Sequence, residues 1–369
     1  GMHKLKSYHF KLTAVMSFFL SLLFFCNIGE ICHTVDSDST QDRFKRIAPE
    51  QAGFSSEKLA QLETYLENAG SSSLILVHDG KIFFEWGDIY KKHLVHSIRK
   101  ALLNSLYGIY IEKEVIDTCA TLGELGIDDI EPELTKLEKS ARIIDLLKSR
   151  SGIYHPAAAE SKGMEDSRPE RGSHKPGEVY YYNNWDFNTL GAVFEQETDK
   201  SIYDAFYEDV ARPLGMLQYK GKFSSIDVSE PDWNIPENDG FYRYEKDKSR
   251  YPAYHFRMSA HDLALYGVLY ANGGNWQGKQ IIPSSWIEES TKPHSYTDPS
   301  AGRAYGMLWA VEKQYGAFQH TGLGIHLLRI YPDSELVVVH RVDTEKEYNF
   351  SSNKLWPIFG IIFGAQIPE

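Results

Sequence analysis

Leu74-Ile75-Leu76-Val77, a reversal at Asp79-Gly80, and Ile82-Phe83-Phe84-Glu85-Trp86 form the stretch on which the fold turns. An Asp-Gly pair between two apolar runs is the signature of a hairpin. Upstream, Ser55-Ser56-Glu57-Lys58 precedes apolar positions at Leu59, Leu62 and Tyr65, the pattern of an N-capped amphipathic helix. Strand-like runs return only near the far end, at 305–311, 317–319, 325–331 and 336–342, the last two joined by the turn Pro332-Asp333-Ser334-Glu335. Ser259 caps a helix ahead of them, with apolar positions at Leu263, Tyr266, Gly267 and Tyr270 and a stop at Gly273-Gly274; a last apolar helix spans 355–363. Between Ala101 and Arg257 the pattern is helices and long loops. The charged stretch 160–175 and the aromatic, proline-bearing stretch 233–254 read as lying outside the core. This order predicts an α/β protein of the α+β type, with an antiparallel sheet built from both chain ends, flanked by helices, and an all-helical insertion. The expected domain is 47–369, its sheet part 47–96 and 258–369, its helical part 97–257.

Composition agrees with a globular domain of this kind. The chain has 369 residues, 42% hydrophobic and 24% charged, enough to bury a sizeable core. Its 39 Lys and Arg against 51 Asp and Glu leave a net charge of −12, with no basic run to follow a phosphate backbone, so nucleic acid is excluded as a partner. Three cysteines, Cys26, Cys32 and Cys119, are too few for a disulfide framework or a Cys-rich zinc site; pairing of Cys32 with Cys119 is left open.

Gly1 ahead of Met2 reads as a cloning scar. Lys4, Lys6 and Lys11 then precede an apolar run, 12–26, interrupted only by Thr13, Ser17 and Ser21, which is the charge-then-hydrophobe order of an export signal. At 15 residues the run falls short of a membrane span. The expectation is a signal over 1–29, a polar linker over 30–46, and a protein exported to the periplasm or envelope of a bacterium. Contact with a membrane is expected only through that leader, cleaved or retained as an anchor.

The chain lacks a Gly-x-Ser-x-Gly elbow, a His-Glu-x-x-His helix, a phosphate loop and a dinucleotide fingerprint. Ser-x-x-Lys occurs at Ser55/Lys58, Ser97/Lys100 and Ser351/Lys354. Ser55 has a sufficient task as a helix cap, and Ser351 sits in a polar connection. Ser97 instead opens a helix whose apolar face, Leu102, Leu103, Leu106, Ile109 and Tyr110, would bury it. Residues i and i+3 share a helix face, so the Lys100 amine reaches the Ser97 hydroxyl, and burial favours the neutral amine. A nucleophile and its base result. A second element, Pro176-Gly177 followed by Tyr182-Asn183-Asn184, places Tyr182 and Asn184 on one side if the segment is extended. A third is His320-Thr321-Gly322 with Leu323-Gly324. Trp233, Tyr242, Tyr244, Tyr251 and Tyr254 are candidates for an apolar acyl pocket.

Ser-x-x-Lys, Tyr-x-Asn after Pro-Gly, and His-x-Gly on a late strand, 85 residues from Ser97 to Tyr182 and 136 from Asn184 to His320, resemble the serine β-lactamase and penicillin-binding-protein superfamily. The class C branch fits best. The blocks Asp145-Leu146-Leu147 with Ser151-Gly152-Ile153, Arg257-Met258-Ser259-Ala260-His261-Asp262-Leu263-Ala264, and Tyr305-Gly306-Met307-Leu308-Trp309 are similar to its esterase and nylon-oligomer-hydrolase members. The resemblance implies Ser97 as acylated nucleophile, with Lys100 and Tyr182 sharing proton transfer. It implies Asn184 as orienter of Lys100 and of a substrate amide, and an oxyanion hole from the N–H groups of Ser97 and Leu323. His320 and Gly322 would line the opposite wall, and no cofactor or metal is required. Four departures stand out: Asn183 where a small residue is usual, Ala101 after the lysine, His320 where a lysine can hold a β-lactam carboxylate, and His255-Phe256 where relatives carry glycines. The expected activity is hydrolysis of an ester or amide, a β-lactam or D-amino-acid peptide included. The alternative is a penicillin-recognising or peptide-binding domain that acylates without turnover.

Overall fold

The computed structural model describes residues 42–369. The expected signal, most of the linker, Cys26 and Cys32 lie outside the described residues, and so does any pairing of Cys32 with Cys119, whose thiol is exposed.

The hairpin forms as its sequence requires. Strands β2 (Ser73–His78) and β3 (Lys81–Gly87) are joined by Asp79 and Gly80 at φ 47° and 72°, the left-handed pair that matches the twist of a two-residue connection. They lie in a nine-stranded sheet ordered β1 (Lys45–Arg46), β3, β2, β15 (Leu336–Arg341), β14 (His326–Tyr331), β13 (Ala317–Gly322), β12 (Ala310–Glu312), β11 (Arg303–Tyr305) and β10 (Ser295–Asp298). The two chain ends meet where β2 pairs antiparallel with β15, Ser73 opposite Arg341 and His78 opposite Leu336. All neighbours are antiparallel except β1, which runs parallel to β3 at the edge and makes the sheet mixed.

Strands β2 and β15 have no polar face because helices cover both sides. Leu74, Leu76, Leu336 and Val338 enter one apolar cluster, and Ile75, Val77, Val337 and Val339 the other. Each such side chain contributes about 1.5–3 kcal/mol on burial, so the central strands read as continuous apolar runs instead of alternating ones. Helices Gln61–Ala69 and Leu355–Gly364 supply the first cluster, helices Ile98–Glu112 and Ala260–Ala271 the second. Ser55 and Ser259 cap their helices as expected, accepting the N–H of Lys58 at 3.3 Å and of Asp262 at 3.1 Å. Gly267 lets the Ala260–Ala271 helix lie close on the sheet, since a Cβ there would stand 2.5 Å from Val337 Cγ1.

Two expectations need correction. The stretch expected to hold only helices and loops contributes to a second sheet, ordered β4 (Lys92–Leu94), β7 (Ala253–Ser259), β6 (Gly240–Tyr244) and β5 (Phe223–Asp227). Its aromatic stretch 233–254 was expected outside the core, yet Phe241, Tyr251 and Tyr254 are buried and only Trp233 of that stretch's rings stays exposed; Phe256 next to it packs on Tyr203, Phe206 and Tyr219. Prolines and charges between these short strands mask their period. Second, 305–311 is not one strand but the end of β11, a reversal, and the start of β12. The reversal carries Leu308 at a φ of +63°, and Gly306 beside it leaves no room for a side chain, since a Cβ there would meet the Ser290 carbonyl oxygen at 2.2 Å. A short ribbon, β8 (Asn275–Trp276) with β9 (Lys279–Gln280), follows the Gly273-Gly274 stop. Among the described residues no helix is long and apolar enough to cross a membrane.

Candidate active site

Ser97 is the N-cap of the helix Ile98–Glu112, directly after His96, whose φ of +50° turns the chain from β4 into the helix. The helix runs through the core, burying each residue from Ile98 to Tyr110. Lys100 is therefore buried, one turn beyond Ser97, with its Nζ 3.1 Å from Ser97 Oγ. The same amine bonds the hydroxyl of Tyr182 and stands 4.1 Å from the centre of that ring and 4.6 Å from that of Phe187. The expected nucleophile, base and phenol thus converge on one nitrogen.

Burial decides their protonation. Desolvation, followed by the charge of Arg99, holds the Lys100 amine well below the usual lysine range, while burial pushes the Tyr182 phenol up to about 12 against the opposing pull of Ser97 and Arg99. Burial thus favours the neutral form of both the amine and the phenol. A neutral amine has one lone pair, so one of the two hydroxyls donates to it and the other accepts from its N–H.

Asn184 does not join them. Its Nδ2 donates to the carbonyls of Ala159 at 2.7 Å and Ala158 at 3.3 Å, and its buried Oδ1 has no partner. The cause is local: Asn183 is extended, but the helix Asn184–Thr198 starts at the next residue, so the alternation that would align Asn184 with Tyr182 stops. Asn183 has its own role, capping that helix at Trp185 N and donating to Ile153 O at 2.6 Å.

The far wall comes from β13. His320 lies with its ring centre 6.4 Å from that of Tyr182. Its Nδ1 is 2.9 Å from the Thr321 carbonyl, which makes Nδ1 the donor and leaves Nε2 an unprotonated, buried acceptor without a partner. Burial, with Lys100 beside it, holds His320 down to about 3, so it is neutral. Gly322 and Leu323 follow, Leu323 exposed at the rim. Among the described residues neither the Ser97 nor the Leu323 N–H meets an acceptor, leaving both available to a developing oxyanion.

Ser97, Tyr182, His320, Gly322 and Leu323 line one cavity of about 550 Å³, closed by Tyr180, Tyr305, Thr297, Thr321, Ala304 and Ala310. None of these side chains is charged at neutral pH. Tyr180 and Tyr305 were not singled out from the sequence as an aromatic wall, although Tyr180 stands two residues before Tyr182 on the same side of an extended segment. The aromatic group proposed as an acyl pocket lies elsewhere: Tyr242, Tyr244, Tyr251 and Tyr254 line a separate cavity of about 230 Å³ that does not include Ser97. Phe256, expected near the cleft, belongs to the core. The other two Ser-x-x-Lys pairs carry no such site: Ser55 is a cap, and the Lys354 amine is spent on the carbonyls of Asn349 and Ala69. Among the described residues no group of three His, Cys, Asp or Glu is placed to hold a metal.

Comparison with known proteins gives the same picture. The family model described as Beta-lactamase matches residues 126–350. A protein named "Putative D-alanyl-D-alanine carboxypeptidase" from Salmonella enteritidis PT4 is 22% identical, with 79% of this chain and 84% of that protein covered. Among solved structures, a "Putative 6-aminohexanoate-dimer hydrolase from Bacillus anthracis" superposes with a TM-score of 0.61 at 18% identity, covering 87% of this chain and 86% of that one. A family VIII carboxylesterase does so with a TM-score of 0.60 at 16% identity, covering 84% and 97%. At these identities the two structures establish the shared fold.

Proposed function

Since the chain belongs to the beta-lactamase family, we propose that it is a serine hydrolase of uncharged esters or amides that works through an acyl-enzyme on Ser97. The observation that carries this reading is the convergence of Ser97 Oγ and the Tyr182 hydroxyl on the buried Lys100 amine, at the floor of a cavity without a charged side chain. The Ser97 hydroxyl passes its proton to Lys100 Nζ as Oγ bonds to the substrate carbonyl carbon. The N–H groups of Ser97 and Leu323 hold the oxyanion. Lys100 returns the proton, through Tyr182, to the leaving alkoxide or amine as its bond to carbon breaks. Water repeats the sequence on the ester carbonyl, releasing the acid and restoring the Ser97 hydroxyl.

The lining favours neutral substrates. A D-alanyl-D-alanine peptide, which the Salmonella relative's name points to, or a penicillin presents a carboxylate. His320, neutral here, offers that carboxylate no fixed cation. Export to the periplasm or envelope is part of the proposal, supported by the order of Lys4, Lys6 and Lys11 and the apolar run after them; fractionation of cells expressing the chain tests it.

The test is intact-mass analysis of wild type and Ser97→Ala after exposure to a fluorophosphonate, an activated short-chain ester, benzylpenicillin and a D-alanyl-D-alanine peptide, with product formation followed in parallel. Adducts confined to wild type, with steady turnover of the neutral ester, are the expected result. A stable penicilloyl adduct without turnover of any substrate would instead establish a penicillin-recognising domain. Absence of every adduct in folded protein would overturn the acyl-enzyme.

A further inference from the structure

We propose that Arg99, a buried cation without a counter-charge, is a charge-tuning residue of the site that keeps protons off the Lys100 amine and draws negative charge toward Ser97 and Tyr182. The proposal rests on the acyl-enzyme reading of Ser97. Arg99 precedes Lys100 in the nucleophile helix and is only 2% exposed. Its Nη2 donates to Asn188 Oδ1 at 3.1 Å, its guanidinium carbon stands 4.6 Å from the centre of the Tyr254 ring, and its Nη1 is buried without an acceptor. It makes no ion pair among the described residues.

Other buried arginines have their donors met, with or without a carboxylate: Arg329, 3% exposed, donates to the Tyr331 hydroxyl at 2.6 Å and to Gln319 Oε1 at 2.8 Å. Arg257 pairs with the Glu345 carboxylate. Arg341, fully buried, directs its donors to His326 Nδ1, the Met258 carbonyl and the His93 carbonyl. Among these four buried arginines, Arg99 alone keeps a buried donor nitrogen without an acceptor. Its cation stands in surroundings that screen it poorly.

The groups around it come from several neighbouring elements, Tyr203 of the helix Ile202–Phe206 among them, and none of them is a carboxylate. Lys100 lies on its own helix and His96 just ahead of it. Tyr182 precedes the Asn184–Thr198 helix, which contributes Asn188. Tyr254 and His255 come from β7, and His320 comes from β13. Arg243 of β6, which also acts on His255, is itself paired with Glu245 at 2.7 Å. The ring nitrogens of His255 are both buried without partners, and burial with Arg99 holds it well below the usual histidine range. Arg99 likewise lowers Lys100 and His320 and pulls the phenols of Tyr182 and Tyr254 down against burial. An unpaired cation here disfavours a second positive charge on Lys100 and favours negative charge on the reacting oxygens. Arg99 acts through Lys100 and does not touch substrate.

Asn188→Asp offers an isosteric test, because it places a carboxylate on the atom that already receives Nη2 and so supplies the missing counter-charge while Arg99 stays in place. The pH dependence of the second-order rate of Ser97 labelling by a fluorophosphonate would be measured for wild type, Arg99→Gln, Arg99→Lys and Asn188→Asp. Titration of the Lys100 ε-carbon by ¹³C NMR would run in parallel. In Arg99→Gln and Asn188→Asp the acid limb and the Lys100 titration are expected to move up by about one pH unit. Labelling one unit below the wild-type midpoint then falls at least about tenfold, with a smaller loss on the alkaline plateau, where only the pull on the reacting oxygens is missing. Arg99→Lys should keep the wild-type limb. Were Arg99→Gln unable to fold, Asn188→Asp alone would decide the matter. Limbs and Lys100 titrations that coincide with wild type in both variants would overturn the proposal while leaving the acyl-enzyme intact. A wild type that never labels at Ser97 would overturn the acyl-enzyme reading instead, and the Lys100 titration would still decide the part played by Arg99.

Discussion

A Cβ added to Gly322 would stand 2.3 Å from the carbonyl oxygen of Val95. That carbonyl also accepts the N–H of Ile98 at 3.2 Å, the first bond of the nucleophile helix. The end of β13 therefore touches, backbone to backbone, the residues that launch the helix carrying Ser97, and the two oxyanion donors are seated against each other by this one contact. No side chain fits between them.

Gly322→Ala is expected to push β13 away by about 1 Å to reach ordinary contact, a displacement that costs on the order of 10² in kcat when it separates catalytic groups. Steady-state kinetics on an activated ester, with a thermal melt to register the packing loss, checks this. A variant with unaltered kcat would mean that the Leu323 amide takes no part.

The three Ser-x-x-Lys pairs separate by substitution. Ser97→Ala should remove covalent labelling and lower turnover by at least about 10³-fold, with little change in the melt. Ser55→Ala should cost about 1 kcal/mol of stability through its lost cap and leave turnover alone. Denaturant titrations beside rate measurements would expose any exchange of these roles.

Tyr182→Phe keeps a ring beside Phe187, 4.9 Å between ring centres, and removes only the hydroxyl. Acylation should slow by about 10²–10⁴ in a protein of unchanged stability. A variant that merely unfolds would point to a packing role.

The rate should rise with pH as Lys100 loses its proton, because only the neutral amine accepts from Ser97. That limb lies below the ordinary lysine range, since burial and Arg99 depress it. It should fall again as Tyr182, held near 12, ionises. His320, at about 3, is already neutral across this range. His320→Gln should leave both limbs in place, and a limb that moved with it would contradict the assignment.

His320→Lys would introduce the cation that the cleft lacks. For a carboxylate-bearing substrate such as benzylpenicillin, kcat/KM is expected to rise roughly tenfold relative to a neutral ester, the scale of one charge-assisted hydrogen bond. Competition between the two substrates in one vessel gives the ratio directly.

Much of this was legible locally. The Asp79-Gly80 reversal, the caps at Ser55 and Ser259, and the spacing of Ser97 and Lys100 each depend on a few adjacent residues, and the structure reproduces them. The sequence also put Tyr182 and His320 in the right order for a shared site. Asn184 was misdirected because its neighbour Asn183 is extended but the helix already begins at Asn184, where the alternation stops. Strands β5 to β7 escaped notice because each is short, aromatic and separated by prolines and charges.

The sequence by itself determined the directions of side chains within a turn or a strand pair, since periods of 3.6 and 2 residues are local properties of the backbone. It could not determine what arrives from a distance. That Tyr182 and the end of β13 close over Ser97, that burial lowers the Lys100 amine, and that Arg99 meets an amide and a ring but no carboxylate were decided only when strands from both chain ends joined. Desolvation and charge compensation depend on every group that packs around a site, and those groups lie tens to hundreds of residues away along the chain.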